Sequence, residues 1–184
     1  MKERPGRQKT VVFTIGHSTR SVSEFIEIIK AYGIGKVADV RTIPKSRHNP
    51  QFNEDMLREG LRAVKIGYLH MKGLGGLRHA RRDSLNKAWR NASFRGFADY
   101  MQTEEFRENL ETLMEEAEKQ ATVIMCAEAV PWRCHRSLIG DALLVRGVNV
   151  RHIMSAGSSR DHVLTPWAKV EDGKITYPAD VSQN

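Results

Sequence analysis

Residues 122–137 read Thr122-Val-Ile-Met-Cys126-Ala-Glu128-Ala-Val-Pro131-Trp-Arg-Cys134-His135-Arg136-Ser137. The apolar, β-branched run ending at Cys126 predicts a buried strand. A loop carrying Glu128 and Pro131 follows, and Cys134, His135 and Arg136 stand where the next helix should begin. Strand carboxyl ends and helix amino ends meet at such junctions, which is where open α/β sheets hold ligands. The helix amino end adds free N–H groups and a positive partial charge suited to an anion. Both cysteines of the chain fall in this stretch.

Working outward, the same alternation recurs. Val11 to Ile15 reads as a short buried strand broken by Gly16. Ser21-Val-Ser-Glu24 is a capping box opening a helix whose Val22, Phe25, Ile26 and Ile29 share one face, with Gly33 as its stop. Val37 to Val40 is a second strand. A polar loop over 41–50 leads to a helix with Phe52, Met56, Leu57, Leu61 and Val64 on one face, and Tyr68 to His70 is a third strand. Thr103-Glu-Glu-Phe106 opens a helix through Gln120 with Phe106, Leu110, Leu113, Met114 and Ala117 inward. A helix from about Arg133 to Arg146 stops at Gly147, and Val148 to Ile153 is a further strand. Beyond Gly157 the chain is loop-like, with at most a small turn or strand near Ile175.

This order predicts an α/β fold in a single domain: a mostly parallel central sheet of about five strands with helices on both faces, a Rossmann-like three-layer sandwich. The domain spans 10–170, between a flexible basic tail, 1–9, and a C-terminal tail, 171–184. If the chain reverses direction after the third strand, the first and fourth strands become central neighbours. The switch point then lies between the carboxyl ends of Ile15 and Cys126.

The chain has 184 residues, 40% of them hydrophobic and 28% charged, as in an ordinary soluble domain. No apolar run approaches a bilayer span, so no membrane contact is expected. Lys2, Arg4, Arg7 and Lys9 precede no apolar segment and do not make a secretory signal. With two cysteines, the cytoplasm and free thiols are the default. A net charge of +7 and a pI near 9.6 favour a nucleic acid or a phosphorylated small molecule as partner. No residue pattern specifies a cofactor.

Three strand ends carry reactive groups. Gly16-His17-Ser18 closes the first, Asp39-Val-Arg41 the second and Cys126-Ala-Glu128 the fourth. Gly16 permits close backbone approach, and Ser18 with nearby N–H groups can bind an anion. Arg41, Arg47 and Arg136 can hold a phosphate by forked hydrogen bonds, and Asp39 can fix Arg41 or a ligand hydroxyl. His17, Glu128 and His135 are candidate acid/base groups, and Cys134 beside cationic neighbours is a candidate nucleophile. Each also has a plainer role: an Asp39–Arg41 pair, a hydrogen-bonded loop histidine, a packed Cys126. The spacing of Cys126, Cys134 and His135 matches no zinc pattern, so no metal is expected. Residues 72–95, rich in Arg and Gly, predict a loop with one short helix and a basic surface.

Several motifs occur here in one order: Thr14-Ile-Gly-His-Ser18, Asp39-Val-Arg41, Pro44-Lys-Ser-Arg47 with Phe52, Leu74-Gly-Gly76, Phe94 to Met101, and Met125-Cys-Ala-Glu128 through Cys134-His-Arg136. Together they resemble the bacterial and archaeal domain-of-unknown-function family 488, over Val11 to Ala168. The resemblance implies an α/β fold and a site built from these residues, without implying an activity. A second likeness, to rhodanese-type sulfurtransferases and Cys-dependent phosphatases, would make Cys126 the nucleophile. The phosphatase pattern wants Arg where Trp132 stands, one place before Arg133, and Pro131 removes a loop N–H.

The reading is therefore an enzyme acting on a nucleotide, nucleic acid or other phosphorylated substrate. The alternatives are a noncatalytic nucleic-acid-binding module and a Cys126-dependent transferase.

Overall fold

The computed structural model describes residues 10–179; the basic tail expected over 1–9 lies outside them. The chain runs β1 (Val11–Gly16), α1 (Val22–Ala31), β2 (Lys36–Asp39), α2 (Glu54–Ala63), β3 (Gly67–His70), α3 (Ala92–Tyr100), α4 (Glu104–Lys119) and β4 (Thr122–Cys126). There follow α5 (Arg136–Val145), β5 (Asn149–Ser155), β6 (Ser158–Asp161), β7 (Lys169–Glu171) and β8 (Lys174–Thr176). One sheet has the order β3-β2-β4-β1-β5-β6, and β7 and β8 form a separate hairpin. All pairs in the large sheet are parallel except β5 with β6.

Side-chain alternation along the strands sorts the core into two layers. Val12, Ala38, Ile124 and Val150 face α3, α4 and α5 through Phe97, Leu110, Leu113, Leu138 and Leu143. Ile15, Val37, Val123 and Met125 face α1 and α2 through Phe25, Ile29, Leu57 and Leu61. The fold is thus the expected three-layer α/β sandwich. β1 and β4 are neighbours, registered from Val12 with Thr122 to Gly16 with Cys126. Their following helices pack on opposite faces, which leaves a crevice at their carboxyl ends.

The differences from expectation have local causes. The sheet has a sixth strand, β6, because Ser158-Ser-Arg-Asp161 is an antiparallel edge with no apolar alternation to announce it. The predicted C-terminal tail begins inside a hairpin turning at Asp172-Gly173. Its Ile175 and the following Tyr177 are buried in the core. Met56, expected inward, is 58% exposed, while Leu57 and Leu61 carry that face of α2.

The helix expected from Arg133 is divided. Pro131–Arg133 form a 3-10 turn, Cys134 is extended, and α5 starts only at Arg136. Residues 72–95 hold a 3-10 turn at Lys72–Leu74 and then a loop fastened by Asp99, which accepts from Arg81 N, Ser84 Oγ and Asn86 Nδ2.

Gly16 fixes the crevice. A Cβ there would lie 1.9 Å from the Glu128 carbonyl oxygen, so the backbone after β4 can close on β1 only over a glycine. Gly16→Ala is expected to cost roughly 1–3 kcal/mol by forcing the 127–129 loop outward. Denaturant unfolding of the two proteins checks this; equal midpoints would contradict it.

Candidate functional site

A cavity of about 660 Å³ opens at the crevice, with His17, Arg41, Lys45, Glu128, Arg133 and Cys134 among its lining residues. That volume suits a small-molecule site. Ile43 and Leu77, 60% and 68% exposed, also line it.

Cys134 lies near its floor, 4% exposed, in the extended residue between the 3-10 turn and α5. Three groups converge on its sulfur. Arg136 Nε donates to Sγ at 3.3 Å, His135 Nδ1 lies 3.7 Å away, and the Cys126 sulfur lies within 4.8 Å. The bond from Cys126 first, then the His135 ring and the Arg136 guanidinium, hold Cys134 well below the usual thiol range against the opposing effect of burial. The same bond, with burial, pushes the Cys126 thiol up. The two shifts run in opposite directions, upward at the strand-end Cys126 and downward at Cys134. Both are free thiols.

His135 is oriented from two sides. Its Nε2 donates to the Val40 carbonyl at 3.1 Å, so Nδ1 faces the sulfurs. A Cβ at Gly76 would sit 2.6 Å from that Nδ1, which is why the Gly75-Gly76 strand of loop can lie against the ring. The two sulfurs and a ring nitrogen of His135 lie within 4.8 Å of one another and could hold a metal ion. Two thiolates and an imidazole suit zinc with one position left open. The sequence named these three residues but set a metal aside because their spacing matches no zinc pattern; the extended Cys134 before α5 is what brings them together.

Arg136 is 1% exposed and does not line the cavity. Besides Cys134 it donates to Thr14 Oγ1 at 3.3 Å and to the Glu128 carbonyl. It therefore lies beneath the cavity and does not reach its surface.

The remaining sequence candidates divide. His17 Nδ1 donates to the Ser18 carbonyl at 2.7 Å, leaving Nε2 to accept from Arg41 Nη1 at 3.4 Å, and its ring stacks on Phe52. Burial lowers its pKa to about 4, so the ring is neutral at physiological pH. The expected anion-binding N–H groups of His17 and Ser18 are spent on the Cys126 and Ala127 carbonyls. Gly16 meets the Glu128 backbone, and no ligand surface is formed by it.

Asp39 and Arg41 form a buried forked pair, with Nε donating to Oδ1 at 2.9 Å and Nη2 to Oδ2 at 2.5 Å. Tyr68 also donates to Asp39, and Arg41 donates to the Phe52 carbonyl. Arg41 still reaches the cavity wall, but most of its donors are committed. Arg47 is exposed and lies outside the lining; Lys45 and Arg133 supply the cations that it was expected to supply. Glu128 is exposed at the rim, where among the described residues its side chain accepts one bond, from Val130 N at 3.4 Å.

One buried network was missed from sequence. Behind Arg136 runs a buried chain whose directions are fixed by its end. Asp141 can only accept, so His162 Nε2 donates to it at 2.9 Å. His162 Nδ1 then accepts from His152 Nε2 at 2.9 Å, and His152 Nδ1 accepts from Thr14 Oγ1 at 2.6 Å. Tyr177 Oη closes the far end on Asp141 at 2.7 Å. The available signals were an Asp in the apolar run of α5 and a His at an inward position of β5.

The chain belongs to the family described as the domain of unknown function DUF488, whose model matches residues 21–143. The match includes Asp39-Val-Arg41, Leu74-Gly-Gly76 and Cys126 to Arg136; Thr14 to Ser18 precede it. No curated protein and no solved structure matches the chain.

The buried histidines set a pH dependence. His17 and His152 both titrate at about 4 in the fold, from an ordinary 6.5, chiefly through burial. Between those values the unfolded chain binds protons that the folded one refuses, so stability falls as pH drops from about 6.5 to about 4. The slope is at most about 1.4 kcal/mol per pH unit for each ring. Denaturation midpoints across that range test this, with His152→Gln expected to flatten the slope; a midpoint independent of pH contradicts it.

Proposed function

We propose that the protein is an enzyme whose Cys134 thiolate attacks an anionic, phosphate-bearing compound such as a nucleotide, held in the basic cavity. One observation carries this reading. Arg136 is permanently charged and 1% exposed, and among the described residues no carboxylate lies within ion-pairing distance of it. Its side-chain contacts are Cys134 Sγ, the Thr14 hydroxyl and the Glu128 carbonyl. A buried guanidinium without a counter-charge is costly. Ionised Cys134 is the group that can supply one.

In the proposed reaction the thiolate sulfur donates its lone pair to the electrophilic centre, and the leaving group departs with the electrons of the broken bond. Lys45, Arg133 and the free face of Arg41 attract the anion. Glu128 then takes a proton from the water that attacks the covalent intermediate, and the bond to sulfur breaks to return the thiolate. His17, with both ring nitrogens engaged, positions Arg41. A second reading follows from the two sulfurs and the ring nitrogen that lie within 4.8 Å of one another: Cys126, Cys134 and His135 as three ligands of a zinc ion.

Alkylation tests the two. At about pH 6 Cys134 should be labelled at least about tenfold faster than Cys126, with iodoacetate favoured over iodoacetamide relative to a free thiol, and phosphate should slow it. Cys134→Ser should remove the fast phase. If both thiols react only above about pH 8 and phosphate has no effect, the nucleophile reading is wrong. Stoichiometric zinc, with labelling restored by a chelator, would establish the second reading in its place.

A further inference from the structure

A second cavity, of about 460 Å³, lies on the other side of the segment that carries Cys134. Trp89, Trp132 and Trp167 all line it, and these are the three tryptophans of the chain. Trp132 and Trp167 are 59% and 46% exposed, an unusual surface position for the largest apolar side chain. Trp89 and Trp167 meet edge to face at 5.3 Å.

The polar groups at this cavity show what its walls can still accept. Asp161 is paired with Arg151, and the ring nitrogens of His152 and His162 are spent in the chain to Asp141. Among the described residues the exposed Arg160 guanidinium at this wall has no hydrogen bond or ion pair, and the buried Trp89 indole N–H has no partner either. The complement of exposed indole rings and an unpaired guanidinium is a planar ring bearing an anion.

The two cavities share their dividing wall. Pro131 and Trp132 face the second, while the adjoining Arg133 and Cys134 face the first. On the other side Trp89 lines the second and Phe94 the first, with the two rings in contact at 4.9 Å. A molecule that seats a ring on the tryptophans can therefore lay a phosphate-bearing neighbour across the 131–134 turn toward Cys134.

We propose that this tryptophan-lined cavity is a nucleobase subsite, which stacks a base and pairs its phosphate with Arg160. It rests on the reading of the first cavity for its purpose, in that it names what the substrate carries. Its binding is nonetheless read without Cys134. Base stacking on aromatic side chains and a basic surface are the physics of single-strand recognition, and the net charge of +7 agrees with it.

Because every tryptophan lines this cavity, intrinsic fluorescence reports on it directly. Titration with adenosine monophosphate and with a short single-stranded oligo(dA) should quench saturably and weaken with added salt. Trp132→Ala, at an exposed position, should weaken binding about tenfold, and Arg160→Ala should reduce the salt dependence. Equal affinity for both ligands assigns a free nucleotide; an oligonucleotide preference of about tenfold or more assigns a single strand. No quenching by either ligand would overturn the proposal. So would stronger quenching by tetramethylammonium, or adenosine binding as well as its monophosphate with Arg160→Ala silent. Alkylation of Cys134 fails or succeeds independently, so loss of the nucleophile reading would leave this result standing.

Discussion

Arg136 is the constraint on which the site depends. Its guanidinium cannot shed its proton and has been taken out of water. Each of its nitrogens is assigned: Nε to the Cys134 sulfur, Nη1 to Thr14 and Nη2 to the Glu128 carbonyl. The last two contacts reach the first strand and the loop after the fourth, so the residue spans the crevice from below. The parallel pairing of β1 with β4 creates the place, and Arg136 sets its electrostatics. A thiol there meets a positive charge that has no carboxylate within ion-pairing distance among the described residues.

The same residue connects the site to the far side of the domain. Thr14 passes its proton toward His152, and the chain through His162 ends on Asp141 in α5. Asp141 also accepts from Thr165 N and Tyr177 Oη, so one carboxylate ties the β5–β6 hairpin and the C-terminal segment to α5. Such a network fixes a single arrangement because every member is satisfied by only one partner order. It accounts for why residues far beyond Gly157 are part of the core.

Periodicity made the sandwich legible. The apolar strands and amphipathic helices announced themselves, and the crevice between Ile15 and Cys126 followed from strand order alone. Elements with no apolar rhythm did not: β6 is polar throughout, and the β7–β8 hairpin contributes little more than Ile175 to the core. At the site, sequence proximity assembled the right segment but misjudged the use of its groups. The backbone N–H groups after β1 looked free and are bonded to the end of β4. Arg47 looked like a partner of Arg41, yet the loop turns it outward and brings Lys45 in. Arg136 looked like an anion ligand because a helix start normally faces one. The break at Cys134 instead sends its side chain into the core, which no local pattern encodes.

The central claim is that burial of Arg136 makes Cys134 the anion of the site. A pH titration of thiolate ultraviolet absorbance, on chelator-treated protein and on the Cys126→Ser and Cys134→Ser variants, measures this directly. The account predicts that one thiolate persists below neutral pH, that it survives in Cys126→Ser and that it vanishes in Cys134→Ser. Two thiols that ionise only near the ordinary value of about 8.5 would contradict it.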